Sequence, residues 1–253
     1  MGQPFTLWAV FIVYDHQLLY NYLKGGDKMR SLTVRTINSF NVDENLPILK
    51  NGNPVGSIAP TGRTFVMEGI TFNVYSCSYF VSFNETIMVR TPEEDTYFTV
   101  DSYQKSENFE LYTIPNRNLL FVDAPTGTSK TFLTALAQQY PDKIDTEIYH
   151  FDFPVIGQYQ NNAKAIYFSV DDDAVDNKIF FGNGVDQDDE AVQAIDNENA
   201  TYLMVEIDLR QHARTIGFSK KGAIVIYNTP NDLEGFENPY LQLAYDSIIM
   251  LTN

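Results

Sequence analysis

Apolar and polar positions along this chain follow a period of two far more often than a period of 3.6. Phe5 to Tyr14 (FTLWAVFIVY) is β-branched and aromatic throughout, the pattern of a strand buried on both faces. Asp15-His16-Gln17 turns it back into Leu18 to Leu23, and Gly25-Gly26-Asp27 closes that hairpin. Ser31 to Thr36 alternates cleanly. Asn41 to Gly56 reads as loop, broken by Pro47, Asn51-Gly52 and Pro54. Strands resume at Arg63 to Glu68 and Ile70 to Phe83, then at Thr86 to Arg90, Tyr97 to Val100 and Phe109 to Thr113. Short strands at regular spacing are the mark of a sandwich or barrel, and no convincing helix interrupts this first half.

The second half adds strands at Thr146 to Phe153, Lys164 to Val170, Ile179 to Phe181, Thr201 to Leu209 and Ala223 to Tyr227. Two segments have helical character. Phe132 to Ala137 follows the apolar run Leu119 to Val122 and ends at Tyr140-Pro141-Asp142. At the C-terminus Asn238 supplies an N-cap and Pro239 a first-turn residue, and Tyr240, Leu243, Ala244 and Ile248 then share one face. The expected fold is mainly β: an antiparallel sandwich or jelly-roll-like fold with a short internal helix and a C-terminal helix. It is read as one domain over residues 1–253, any subdivision falling near 114–118.

Composition narrows the function classes. A net charge of −16, with only 17 basic residues and no run of them, argues against direct nucleic-acid binding, which needs Lys and Arg to neutralise phosphates. The single cysteine, Cys77, excludes an intrachain disulfide framework and is expected to be a buried, inert thiol. The apolar run Leu7 to Tyr14 is too short to span a bilayer, and it lacks the basic flank and cleavage site of a signal peptide. A cytoplasmic location, or one within a virion or occlusion-type assembly, is therefore expected. Gly2 and Thr6 fit the N-myristoylation pattern formally, with Pro4 awkward inside it.

Chemistry concentrates between Asn118 and Gln138. Asp123-Ala-Pro-Thr-Gly-Thr-Ser-Lys-Thr131 lies between an apolar strand and a helix, the order a phosphate loop requires. The stretch DAPTGTSKTFLTAL resembles the nucleotide loop of superfamily-1 DNA helicases and related P-loop ATPases. It departs from that pattern in having Ala124 and Ser129 at the two glycine positions. The resemblance implies that Lys130 contacts the β- and γ-phosphates of ATP, that Thr131 binds Mg²⁺, and that backbone N–H groups of Thr126 to Lys130, including Gly127 and Thr128, cradle the phosphates. It also implies that Asp171 could serve as the acidic residue that orders the metal.

Acidic runs at Asp171 to Asp176 and Asp186 to Glu190 offer a second chemistry, with Asp171 and Asp173 as candidate calcium ligands, although the EF-hand pattern fails at Ala191 and Asn197. A solvated acidic loop is the plainer reading. His16, His150 and His212 match no metal spacing, no G-x-S-x-G elbow is present, and His150 with Asp152 reads as a structural pair. A third, weaker function is a carbohydrate- or calcium-binding β-sandwich module using the acidic loops.

Two functions remain in front. In the leading one, the protein is a non-enzymatic structural component that self-assembles into a homo-oligomer or larger array and needs no cofactor. It rests on aromatic-rich β sequence, 18 Phe and 16 Tyr, and apolar termini able to exchange between subunits. Viral capsid components, phage tail parts and occlusion-body proteins share that general composition. The alternative is a P-loop nucleotide-binding protein or ATPase using residues 124–131 with ATP and Mg²⁺.

Overall fold

The computed structural model describes residues 29–91, 96–172 and 175–252. The expected N-terminal hairpin, Gly2 and Asp173 lie outside the described residues. The described residues fall into two compact units, one of residues 35–147 and one of residues 29–34 with 148–252.

The strands of the first unit are β1 (Arg30–Phe40, whose later residues belong here), β2 (Leu46–Lys50), β3 (Asn53–Met67), β4 (Ile70–Phe83), β5 (Ile87–Thr91), β6 (Thr96–Val100), β7 (Tyr103–Ile114) and β8 (Leu119–Val122). Helix α1 (Thr126–Gln139) and β9 (Ile144–Ile148) follow. Its sheet runs β1-β8-β7-β4-β3-β2, with β9 also paired to β1, so β2 is an edge. Successive residues point to opposite faces, and at the end of β7 and along β8 both faces carry buried side chains. Cys77, Phe109, Leu111, Leu120 and Val122 meet Phe132, Leu133 and Leu136 of α1 on one face. On the other, Phe65 stacks on Phe72 at 5.1 Å and meets Tyr112 edge-on at 5.9 Å.

The second unit adds α2 (Phe153–Tyr159), β10 (Gln160–Asp172), β11 (Val175–Phe181), α3 (Asp189–Asp196), β12 (Ala200–Leu209), β13 (His212–Ser219), β14 (Ala223–Ile226) and α4 (Pro239–Thr252). Its sheet runs β11-β10-β12-β13-β14-β1, the first residues of β1 pairing β14 from Arg30↔Ile226 to Thr33↔Ala223. Helix α4 buries Leu241, Leu243, Ala244 and Ile248, and the backbone N–H of Leu241 donates to Asn238 Oδ1 at 3.1 Å, the expected cap. The architecture is the mainly β, antiparallel one with an internal and a C-terminal helix that the pattern predicts, and it is consistent with a sandwich-like class.

Several local expectations are corrected. Asn41 to Gly56 is not loop: Asn51 and Gly52 adopt φ of 52° and 80°, the turn of a tight hairpin between β2 and β3. Pro47 is tolerated because β2 is an edge. The strand expected over Thr146 to Phe153 ends at Ile148, because Asp152 accepts from the Val155 N–H at 3.0 Å and, with Pro154, opens α2. The acidic run near Asp186 is helical rather than a solvated loop, Asp188 capping α3 through the N–H groups of Glu190 and Ala191.

Candidate functional site

The phosphate-loop candidate is built on α1. Strand β8 is fully buried, and only Asp123, Ala124 and Pro125 separate it from the helix. Gly127, Thr128, Lys130 and Thr131 are therefore helical residues. The helix starts six residues before the expected Phe132, because Thr128 and Ser129 are buried along with Phe132 and Leu133. The Ser129 N–H donates to Pro125 O at 2.9 Å, and the Ser129 hydroxyl donates to Ala124 O at 3.2 Å. Thr128 donates its hydroxyl to Glu107 Oε2 at 3.0 Å, which brings a carboxylate to the positive end of the helix dipole. The Thr131 hydroxyl donates to Gly127 O at 2.9 Å within the helix itself.

Lys130 and Thr131 both face an open groove of about 640 Å³ between α1 and the β2 edge. Among the described residues that line it, Ile48, Leu49, Val55, Tyr79 and Ala135 give an apolar wall, and Lys50 and Lys130 are the charged ones. The edge itself is clamped. The Gln139 carboxamide donates to Pro47 O at 3.2 Å and accepts from the Leu49 N–H at 2.8 Å, the pair of bonds that one residue of a parallel strand would make. The Tyr140 hydroxyl adds a donation to Pro47 O at 2.7 Å. Sheet growth at this edge is thereby blocked.

The acidic candidates are scattered. Asp171 lies near the end of β10. Asp186 accepts from Gln160 Nε2 at 2.8 Å, Asp188 caps α3 and Glu190 pairs with Lys178. Among the described residues no group of three or more His, Cys, Asp or Glu side chains could hold a metal ion. His150 and Asp152 do not share a strand. Cys77 is buried, and burial, then the charge of Glu110, pushes its thiol well above the ordinary range.

A feature that the sequence pattern did not distinguish from sheet strands is an arm. Strand β3 pairs with β4 only as far as Tyr79, whereas β4 and β7 continue together from Phe80↔Ser106 to Phe83↔Tyr103. Beyond them, among the described residues, β5 and β6 pair solely with each other, as a two-stranded sheet of their own. Polar contacts brace the junction: the Tyr103 hydroxyl donates to Glu85 Oε1 at 2.5 Å, and that of Thr86 to Asp101 Oδ1 at 3.1 Å. The register Ile87↔Val100 and Val89↔Phe98 puts four apolar side chains on one face. Phe98 is 51% exposed, and Met88 and Tyr97 on the opposite face are 72% and 59% exposed. The alternation of Ile87 with Val89, and of Phe98 with Val100, was the available signal.

No helix among the described residues is long and apolar enough to cross a membrane. Compared with models of known protein families the chain matches none, and no curated protein matches it.

Proposed function

We propose that this protein is a non-enzymatic structural component that self-assembles, with the β5–β6 arm as its point of association. The arm carries the reading. An isolated two-stranded hairpin is marginal in water, and a contiguous apolar face left open marks a surface meant for a partner. Both conditions bear on β5 and β6: among the described residues they pair only with each other, and Phe98, Met88 and Tyr97 stand 51%, 72% and 59% exposed on them. The composition fits a viral-type structural component such as a capsid, tail or occlusion-body matrix protein, located in the cytoplasm or in such an assembly. Light scattering on a size-exclusion column at neutral pH is the test. A defined multiple of 28.8 kDa is expected, and a monomer at tens of micromolar refutes the reading.

One observation favours a second reading, nucleotide binding: Lys130 and Thr131 stand on the wall of an open groove. Titration of ATP with Mg²⁺ into the wild type and Lys130→Ala decides it. Saturable binding that the variant abolishes would establish a nucleotide site, and the assembly reading expects no heat in either.

A further inference from the structure

A cluster of mutually reactive groups lies in the second unit, where β11, β10 and β12 run side by side. We propose that Lys164 and Asn183 join there in an intramolecular isopeptide bond, a covalent stitch from β10 to the loop after β11, with Glu206 as the proton carrier. It is a reaction of the chain with itself and does not depend on the assembly reading.

The backbone places the pair. Between β10 and β12, Ala163 pairs with Val205 and Ala165 with Met204, so Lys164 is the extra residue of a bulge. A bulge re-aims the side chain it carries. On the other side of β10, the Gly182 N–H donates to Lys164 O at 2.9 Å, which seats Asn183 beside Lys164. The loop beyond is fixed in turn. Gly184 takes the left-handed conformation with φ of 67°, its N–H donates to Asn162 Oδ1 at 2.7 Å, and Val185 is fully buried.

The side chains then meet in a reactive arrangement. Lys164 Nζ donates to Asn183 Oδ1 at 2.9 Å and lies 3.4 Å from Glu206 Oε2. With a C=O bond of ~1.23 Å, Nζ is no more than about 4 Å from Asn183 Cγ, close to the ~3–3.5 Å of a near-attack geometry. Asn162 Nδ2 also donates to Asn183 Oδ1, at 3.2 Å, where the charge of a tetrahedral intermediate develops. The Lys164 and Glu206 side chains are 23% and 34% exposed, partly withdrawn from water, while Asn183 is exposed and leaves its departing nitrogen a way out.

The step balances without an oxidant or co-reactant. Glu206 takes a proton from Nζ, the Nζ–Cγ bond forms and the Cγ–Nδ2 bond breaks. Two protons pass in all from Nζ to Nδ2 through Glu206, which ends ionised as it began, and the nitrogen leaves as ammonium. The competing attack on Cγ, by the Gly184 nitrogen to give a succinimide, is restrained by the hydrogen bond from that N–H to Asn162. Unlike a disulfide, the stitch persists in a reducing compartment.

Mass spectrometry of the full-length chain, denatured after prolonged incubation at neutral pH, is the test. The wild type should have lost one ammonia, and trypsin should release a branched peptide in which Lys164 is uncut and joined to Asn183. Lys164→Arg and Asn183→Ala should lose none, and Glu206→Gln should slow the loss about a hundredfold or more. A wild type that yields only linear peptides overturns the proposal, whatever the variants do. So does an ammonia loss that persists in Lys164→Arg, which would mark a succinimide at Asn183-Gly184, and so does conversion of Asn183 to Asp.

Discussion

Replacing Phe98 by Ala separates folding from assembly, because its ring belongs to the arm and not to a core. Phe98 is 51% exposed, so about 100 Å² of a ring offering ~200 Å² is free to be covered by a partner. At ~25 cal/mol per Å², and allowing for the methyl that Ala retains, the loss is about 2 kcal/mol per arm. In a symmetric dimer that covers both arms the loss is about 4 kcal/mol, and the dissociation constant should rise roughly a thousandfold. Within one chain the substitution removes the cross-strand contact with Val89, a cost of about 1 kcal/mol or less. Light scattering over a dilution series should find Phe98→Ala dissociating at concentrations where the wild type stays assembled, with its urea midpoint nearly unchanged. Thr99→Ala, on the other face of β6, is the control and should assemble normally. A Phe98→Ala protein that assembles at wild-type concentration would refute the arm as the point of association.

Other expected outcomes concern the two units separately. The hydroxyls of Tyr202 and Tyr227 lie 2.5 Å apart, and burial holds both phenols above the usual tyrosine range. The unfolded chain ionises first, near pH ~10, so their stabilisation is complete below that pH and is lost as pH rises through the folded-state values; the urea midpoint should fall from pH 10 upward, and less steeply in a Tyr202→Phe/Tyr227→Phe double variant. Arg214 is 4% exposed and paired with Asp232, whose carboxyl it holds below the ordinary range. Asp232→Ala strands the guanidinium and should cost about 3 kcal/mol by urea unfolding at pH 7. In the wild type the contribution of this pair is present above pH ~4 and is lost as pH falls through the depressed value. Gln139→Ala unclamps the β2 edge and should cost about 1 kcal/mol while raising turbidity on concentration, through sheet-edge pairing.

Elements with strong local signals were legible from sequence. Strand β8 occupies Leu119–Val122 as expected, β4 occupies Ile70–Phe83, and Asn238 with Pro239 opens α4. Other elements hid behind tertiary effects. Strand β13 was missed because Arg210 and Gln211, not an Asn-Gly pair, take φ of 54° and 64° in the turn before it. The start of α1 was misplaced because Gly127 and Thr128 are poor helix formers, and burial against the sheet overrides their propensity. As for the site, the pattern gave Lys130 and Thr131 a location but not the groove, whose clamp joins residues 92 apart in sequence. Nor could it separate the arm from the sheet. Thr86 to Arg90 and Tyr97 to Val100 read as strands either way, and only the pairing shows that among the described residues they bond to no strand but each other.

Hydrogen exchange of the β5 and β6 amides, followed at two protein concentrations on either side of the assembly midpoint, tests the central claim most directly. A lone hairpin exchanges within the time that fraying allows, whereas an arm packed into a partner exchanges only when the assembly opens. The account predicts protection of residues 87–91 and 96–100 that rises with concentration. Rapid exchange of the arm at both concentrations, in a sample that light scattering shows to be assembled, would contradict it.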